Sequence, residues 1–262
     1  MHRVAPGLLL VCGLTACGAD VAEPELGHLS QGIFGGDVDP DHPEVMLLFD
    51  QAGALCTGTN ILSEGGSGFL LTAAHCVTRE LPGGGVAPLP PQQLLVVPGA
   101  DFALSPLAFP ATAVTVEPNY VGGFFEDDVA VVRFATGDEP PPPVLEPLSA
   151  AEDALALEDE LLMIGFGETE TGELNTERRR VARSVAGLDD ENVIYSQDDG
   201  SGPCFGDSGG PGLARLAGQE RVAVVISGGV EGDGEACSSG LGVAMRVSGY
   251  EGFIRSALAA PL

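Results

Sequence analysis

The chain has 262 residues and a formal charge of −27, from 38 acidic against 11 basic side chains, every basic one an arginine. So acidic a surface repels phosphate backbones, which excludes a nucleic-acid partner. Hydrophobic content of 44% with 38 glycines and 20 prolines fits a compact, turn-rich fold rather than a disordered chain.

The first stretch, MHRVAPGLLLVCGLTAC, has a short basic start (His2, Arg3) and then an apolar run from Val4 to Ala16. That run is too short to span a bilayer, so residues 1–17 read as a secretory signal. Leu14-Thr15-Ala16-Cys17 has the form of a bacterial lipobox, which makes Cys17 the expected lipidation site; an ordinary signal cleaved a few residues later is the other reading. The chain is therefore expected to leave a bacterial cell and to be tethered to a membrane by that lipid or released. Residues 18–32 are polar, acidic and aperiodic, and read as a propeptide or tether. Loss of the signal leaves Cys56, Cys76, Cys204 and Cys237 for folding. An even number in an exported chain suits two disulfides, and position leaves all three pairings open.

From Ile33 onward, short apolar or alternating stretches broken by glycine and proline predict strands. They are Val45 to Phe49, Leu94 to Val97, Ala113 to Val116, Val129 to Phe134, Leu161 to Ile164, Val222 to Ile226 and Gly242 to Val247. Many short strands with frequent turns point to a sandwich or barrel. Residues 81–92 and 138–147 read as loops, and the four consecutive prolines in the second suit a stiff connector between two halves. Tyr250, Phe253, Ile254, Ala257 and Leu258 recur at helical spacing, predicting one amphipathic helix over about 249–260. No internal repeat of fixed period is visible.

Three local patterns carry chemistry. Gly206-Asp207-Ser208-Gly209-Gly210-Pro211 surrounds a serine with glycines that let backbone N–H groups approach a substrate carbonyl. A serine hydroxyl is a poor nucleophile at neutral pH and needs a neighbouring base. His75, in Thr72-Ala73-Ala74-His75-Cys76, follows an apolar run and precedes a cysteine that a disulfide can anchor, which suits a base held in one orientation. The other histidine beyond the propeptide, His42 in DPDHPEV, reads as a surface turn position. Asp128, at the mouth of the apolar stretch that begins at Val129, can accept from an imidazole N–H, and Glu126 and Asp127 beside it compete for that role. Two histidines and cysteines committed to disulfides cannot supply a zinc site, so neither metal nor cofactor is expected.

With the order His75, Asp128, Ser208, these motifs resemble the trypsin/chymotrypsin family of serine peptidases, in a bacterial exported form. The resemblance covers Ile33 to Leu262: IFGG at its start, CTGTNIL before TAAHC, EPNY before DDVAVV, then IGFG, CFGDSGGP and GVAMRV. It implies an all-β fold of two six-stranded antiparallel β-barrels, about 33–137 and 148–248, with the active site between them and a C-terminal helix. It implies Ser208 as nucleophile, His75 as general base, Asp128 as the carboxylate that orients it, and Gly206 and Ser208 N–H groups as the oxyanion hole. It further implies disulfides Cys56–Cys76 and Cys204–Cys237. Cleavage before Ile33 would free an amine to pair with Asp207; Gly32 at that bond argues against a trypsin-like activator, and the activating protease is unknown. The specificity pocket maps to Gly202, Ser227, Gly228, Gly229 and Gly242; with no acid at Gly202, small or apolar residues are the expected preference. Thr57 is expected to narrow the leaving-group side, and Gly228 and Leu241 to loosen the pocket. Partners are then protein or peptide substrates acted on by a monomer. The rival reading is a catalytically idle homologue that serves as a binding module; an esterase of the α/β-hydrolase type is disfavoured because its triad runs in the opposite order.

Overall fold

The structure, a computed structural model, describes residues 1, 2, 33–170, 175–231 and 237–260. The signal beyond its first two residues, Cys17, the propeptide and the carbonyl side of the bond before Ile33 lie outside the described residues.

The first barrel consists of β1 (Val45–Asp50), β2 (Leu55–Glu64), β3 (Ser67–Thr72), β4 (Leu94–Val97), β5 (Phe109–Val116) and β6 (Ala130–Ala135). These close antiparallel in the order β1-β2-β3-β6-β5-β4. The second consists of β7 (Glu160–Gly165), β8 (Arg179–Leu188), β9 (Asn192–Ser196), β10 (Pro211–Leu216), β11 (Gln219–Glu231) and β12 (Gly240–Arg246). Its ring runs β7-β8-β9-β12-β11-β10. The two orders are the same wiring applied twice, so the fold repeats where the sequence does not. Pairing of backbone groups sets the repeat, and side chains need only alternate inward and outward to satisfy it.

Both barrels are filled by side chains. In the first, Phe109 stacks on Phe134 with ring centroids 5.6 Å apart. Gly68, paired across β3 and β6 with Phe134, leaves room for that ring: a Cβ there would sit 2.1 Å from Phe134 Cζ. Gly68→Ala is accordingly expected to destabilise by roughly 1–3 kcal/mol through overpacking, a loss that equilibrium urea unfolding would measure.

The proline-rich connector is laid along the first barrel. Asn60 of β2 donates to the carbonyls of Pro142 (3.2 Å) and Pro143 (2.9 Å), and Leu145 N–H donates back to Asn60 C=O (3.0 Å). Pro147 then bridges to Val222, which delivers the chain to the second barrel. After β12, helix α1 (Glu251–Leu258) turns back and buries Ile254 and Ala257 in the cluster that also holds the first barrel's core. No helix among the described residues is long and apolar enough to cross a membrane.

Residues 33–38, grouped by sequence with the first barrel, attach to the second: Phe34 bridges to Gly202, and Asp37–Val38 pairs with Arg179–Arg180 of β8. A buried charged latch fixes the segment that follows. Arg178, 1% exposed, donates from Nε to Asp39 Oδ2 (3.0 Å) and from Nη1 to the carbonyls of Val45 and Gly99 (3.1 and 3.2 Å). His42, expected on the surface, is instead buried with Nδ1 2.8 Å from Asp39 Oδ1, because a carboxylate with no water needs donors on both oxygens. Arg180 reaches Asp39 as well, and Glu220 and Glu44 face His42.

Burial alone would raise the Asp39 carboxyl, but the hydrogen bonds and charges of His42 and Arg178 outweigh it and hold the group below its ordinary value. Burial alone would lower His42, and Asp39 with the nearby glutamates reverses this, so the imidazolium is held above its ordinary value of 6.5. The lowered carboxyl contributes stability above about 4 that is lost in acid; the raised imidazole contributes below about 6.5 what is lost as pH climbs through its folded value. The latch is therefore expected to be strongest between those limits. Arg178→Ala, which strands the buried carboxylate, should cost roughly 3–5 kcal/mol, with the loss largest in that window when melting is followed against pH.

Candidate active site

Three loops at the junction of the barrels converge. His75 sits in a short 3-10 turn (Ala74–Val77) directly after β3, and Asp128 lies two residues before β6. Since β3 and β6 are hydrogen-bonded neighbours, pairing Thr72 with Ala130, their ends bring the two residues together. Asp128 is fully buried and receives three donors. His75 N–H reaches Oδ1 (2.8 Å), His75 Nδ1–H reaches Oδ2 (2.7 Å), and the Ser227 hydroxyl reaches Oδ2 (2.6 Å). A carboxylate so held fixes both the tautomer and the plane of the imidazole, leaving Nε2 directed away from it. The ring is held on another side by Phe124, whose centroid stands 4.8 Å away edge-on. Nε2 is 3.7 Å from Cys76 Sγ, but that sulfur is half of a disulfide and offers no thiolate to a metal.

Ser208 comes from the loop between β9 and β10 and faces the same cleft as His75. Among the described residues its Oγ has one hydrogen-bond partner, the Ser227 carbonyl at 3.5 Å, and no hydrogen bond joins it to the imidazole. Such contacts are often long without substrate and tighten when one binds. The loop itself is braced from both barrels: Thr57 N–H of β2 donates to Ser208 C=O (2.8 Å), and Gly209 N–H to Ile226 C=O of β11 (2.7 Å). Gly209 (φ 82°) meets Thr72 Oγ1 at 2.1 Å from where a Cβ would be, so only glycine passes there.

Cys204 to Asp207 form a turn closed by Asp207 N–H to Cys204 C=O (3.0 Å), with Gly206 at φ 101°. The N–H groups of Gly206 and Ser208 donate to no acceptor among the described residues, which leaves two donors for an anionic oxygen beside Ser208. Thr57, expected to narrow the leaving-group side, is instead fully buried behind this turn, and its hydroxyl donates to Gly206 C=O (2.9 Å). It fixes the peptide that presents the Gly206 donor.

Asp207 points away from the cleft into the second barrel, packed so closely on β7 that Cβ atoms on Gly165 or Gly167 would overlap its oxygens. The N–H groups of Gly167 and Cys204 donate to it (2.8 Å each), and no cation pairs with it among the described residues. Burial, only partly countered by those donors, pushes its carboxyl up to about 7. Ile33 is also fully buried, and neither a hydrogen bond nor an ion pair joins it to Asp207. Cys56 is bonded to Cys76 beside His75, and Cys204 to Cys237 at the other end of the cleft.

The cleft, of about 950 Å³, is walled by Ser227, Gly228 and Gly229 of β11, but Gly202 and Gly242 do not reach it. Gln197 covers Gly202, standing 2.3 Å from a Cβ there, and the Tyr195 ring covers Gly242 at 2.1 Å. The space expected to open at Gly228 is taken by Phe124 and Phe125, both 3.2 Å from a Cβ at that position. Gln197, Tyr195 and Phe124 thus shape the site without having been singled out for it, and Ser227, named for the pocket wall, also donates its hydroxyl to Asp128. The only trace in the sequence is the apolar pair Phe124-Phe125 within an otherwise acidic and glycine-rich loop.

A sequence model of the family described as Trypsin matches residues 33–254. A curated relative, described as serine protease SP24D of Anopheles gambiae, is 26% identical over 218 residues, which cover 78% of this chain and 76% of that protein.

Proposed function

Because the chain belongs to the trypsin family of serine endopeptidases, we propose that it hydrolyses peptide bonds through an acyl-enzyme on Ser208. The observation that carries this is the pairing of His75 Nδ1 with a fully buried, triply hydrogen-bonded Asp128 in the cleft that Ser208 enters. Ser208 Oγ attacks the scissile carbonyl carbon while His75 Nε2 takes its proton. The carbonyl π electrons move to oxygen, and the Gly206 and Ser208 N–H groups stabilise that charge. Collapse breaks the C–N bond as the imidazolium returns the proton to the leaving amine; water, deprotonated by the same nitrogen, then releases the acid and restores Ser208. Asp128 accepts from His75 Nδ1–H throughout and stabilises the imidazolium.

The proposal extends to an exported zymogen, activated by cleavage before Ile33, whose new amine pairs with Asp207. Two disulfides suit an oxidising compartment. With no acid at Gly202, the pocket takes small or medium uncharged side chains, apolar ones among them. A fluorophosphonate probe tests the core of this reading. Protein trimmed to begin at Ile33 should be labelled stoichiometrically on Ser208, and an idle binding module would remain unlabelled.

A further inference from the structure

Part of the pocket lining is a side chain from outside the motifs. Gln197 follows β9 and is 5% exposed. Its Nε2 donates to the carbonyls of Pro203 (3.0 Å) and Cys237 (2.9 Å), so both amide hydrogens are used and the orientation of the group is set. Oε1 is thereby turned the other way, 3.8 Å from where a Cβ on Gly229 would stand, and it accepts from no described residue. Gln197 and Gly229 both line the cleft. Beside them, Tyr195 pairs across strands with Gly242, which itself pairs with Gly229, and lines the same cleft with a phenol that no described residue hydrogen-bonds. Burial holds that phenol above its ordinary value, so it keeps its proton and can donate.

An acceptor and a donor in the lining of one cleft form an incomplete hydrogen-bonded pair. We propose that Gln197, with Tyr195, sets the specificity of the pocket for a side chain ending in a carboxamide, glutamine or asparagine, on the acyl side of the scissile bond. The inference rests on the reading of Ser208 as nucleophile. An apolar side chain would displace water from Oε1 and leave it unpaired, whereas a carboxamide N–H replaces that water. A lysine or arginine would give up its hydration for a neutral oxygen with no carboxylate to offset it.

The test uses the chain trimmed to Ile33 and peptides that differ at one residue. The glutamine peptide should exceed the methionine peptide about 10-fold in kcat/KM, and N,N-dimethylation of the glutamine side chain should remove that advantage. Gln197→Met should bring the ratio near unity, with active sites in each preparation counted by fluorophosphonate labelling of Ser208. Should that variant fail to fold, the dimethylated peptide on the unaltered protein decides alone. Protein that labels at Ser208 but cleaves the glutamine, dimethylglutamine and methionine peptides equally overturns the inference and leaves the hydrolase reading intact. Protein that neither labels nor cleaves overturns both.

Discussion

Ser208→Ala in protein trimmed to Ile33 is expected to lower kcat/KM roughly 10⁴- to 10⁶-fold, with His75→Ala close behind and the double variant no worse than either. The non-additivity is the informative part. Ser208 and His75 come from different barrels, and each is idle without the other, since the hydroxyl needs a proton acceptor and the imidazole needs a nucleophile to serve. Asp128→Asn should cost about 10⁴-fold at neutral pH, because an amide at that position can donate to His75 Nδ1 and so favour the wrong tautomer. Its two oxygens now accept from His75 N–H, His75 Nδ1–H and Ser227 Oγ, so the loss should come with little change in KM. Steady-state kinetics on one peptide substrate, with active sites counted by the labelling reaction, would check all four variants. Independent, multiplying losses would show that these residues do not act as one unit.

The second large effect concerns Asp207. With residues before Ile33 attached, the Ile33 nitrogen is part of a peptide bond and carries no charge, and the fully buried carboxyl is pushed up to about 7. A carboxyl raised in the folded state binds its proton more tightly there than in the unfolded chain. The stability it contributes is complete below about 4 and disappears as pH rises through 7. The untrimmed protein should therefore melt lower at pH 8 than at pH 5 on this account. In the trimmed protein the new ammonium should reverse the sign, holding Asp207 ionised across neutral pH. Asp207 adjoins the Gly206 and Ser208 donors, so its position should govern activity too. Breaking a buried pair costs roughly 3–5 kcal/mol, so Asp207→Asn should cut kcat/KM of the trimmed enzyme by about 10²- to 10⁴-fold. The same substitution in untrimmed protein should change its small residual activity little. Full activity with the amine still blocked would refute the scheme.

The elements that could be read from the chain are those whose burial shows as composition. Val129 to Val132 and Val222 to Ile226 are continuous apolar runs, and strands form there. β8, RRVARSVAGL, carries three arginines and was not anticipated. Its neighbours supply acceptors for those charges: Arg179 pairs with Glu177, Arg180 with Asp39 and Asp41, and Arg183 with Asp199. A hydropathy pattern cannot register such partners, which lie up to 141 residues away. His42 was misplaced for the same reason: its acidic surroundings read as a solvated turn until Arg178 arrives from the second barrel.

By itself the sequence determined the family, through motifs whose chemistry demands particular residues in a particular order, and the overall two-barrel plan that the family implies. Glycines flanking a serine and a histidine before a cysteine leave marks in the chain because each serves a local backbone or bonding requirement. Only the tertiary structure decided what lies behind those motifs: Thr57 bracing the Gly206 peptide, Ser227 completing the shell of Asp128, and Gln197 and Tyr195 standing where Gly202 and Gly242 were expected. These roles depend on which side chain fills a space that two distant strands enclose, and that is a property of packing in three dimensions rather than of any neighbourhood along the chain.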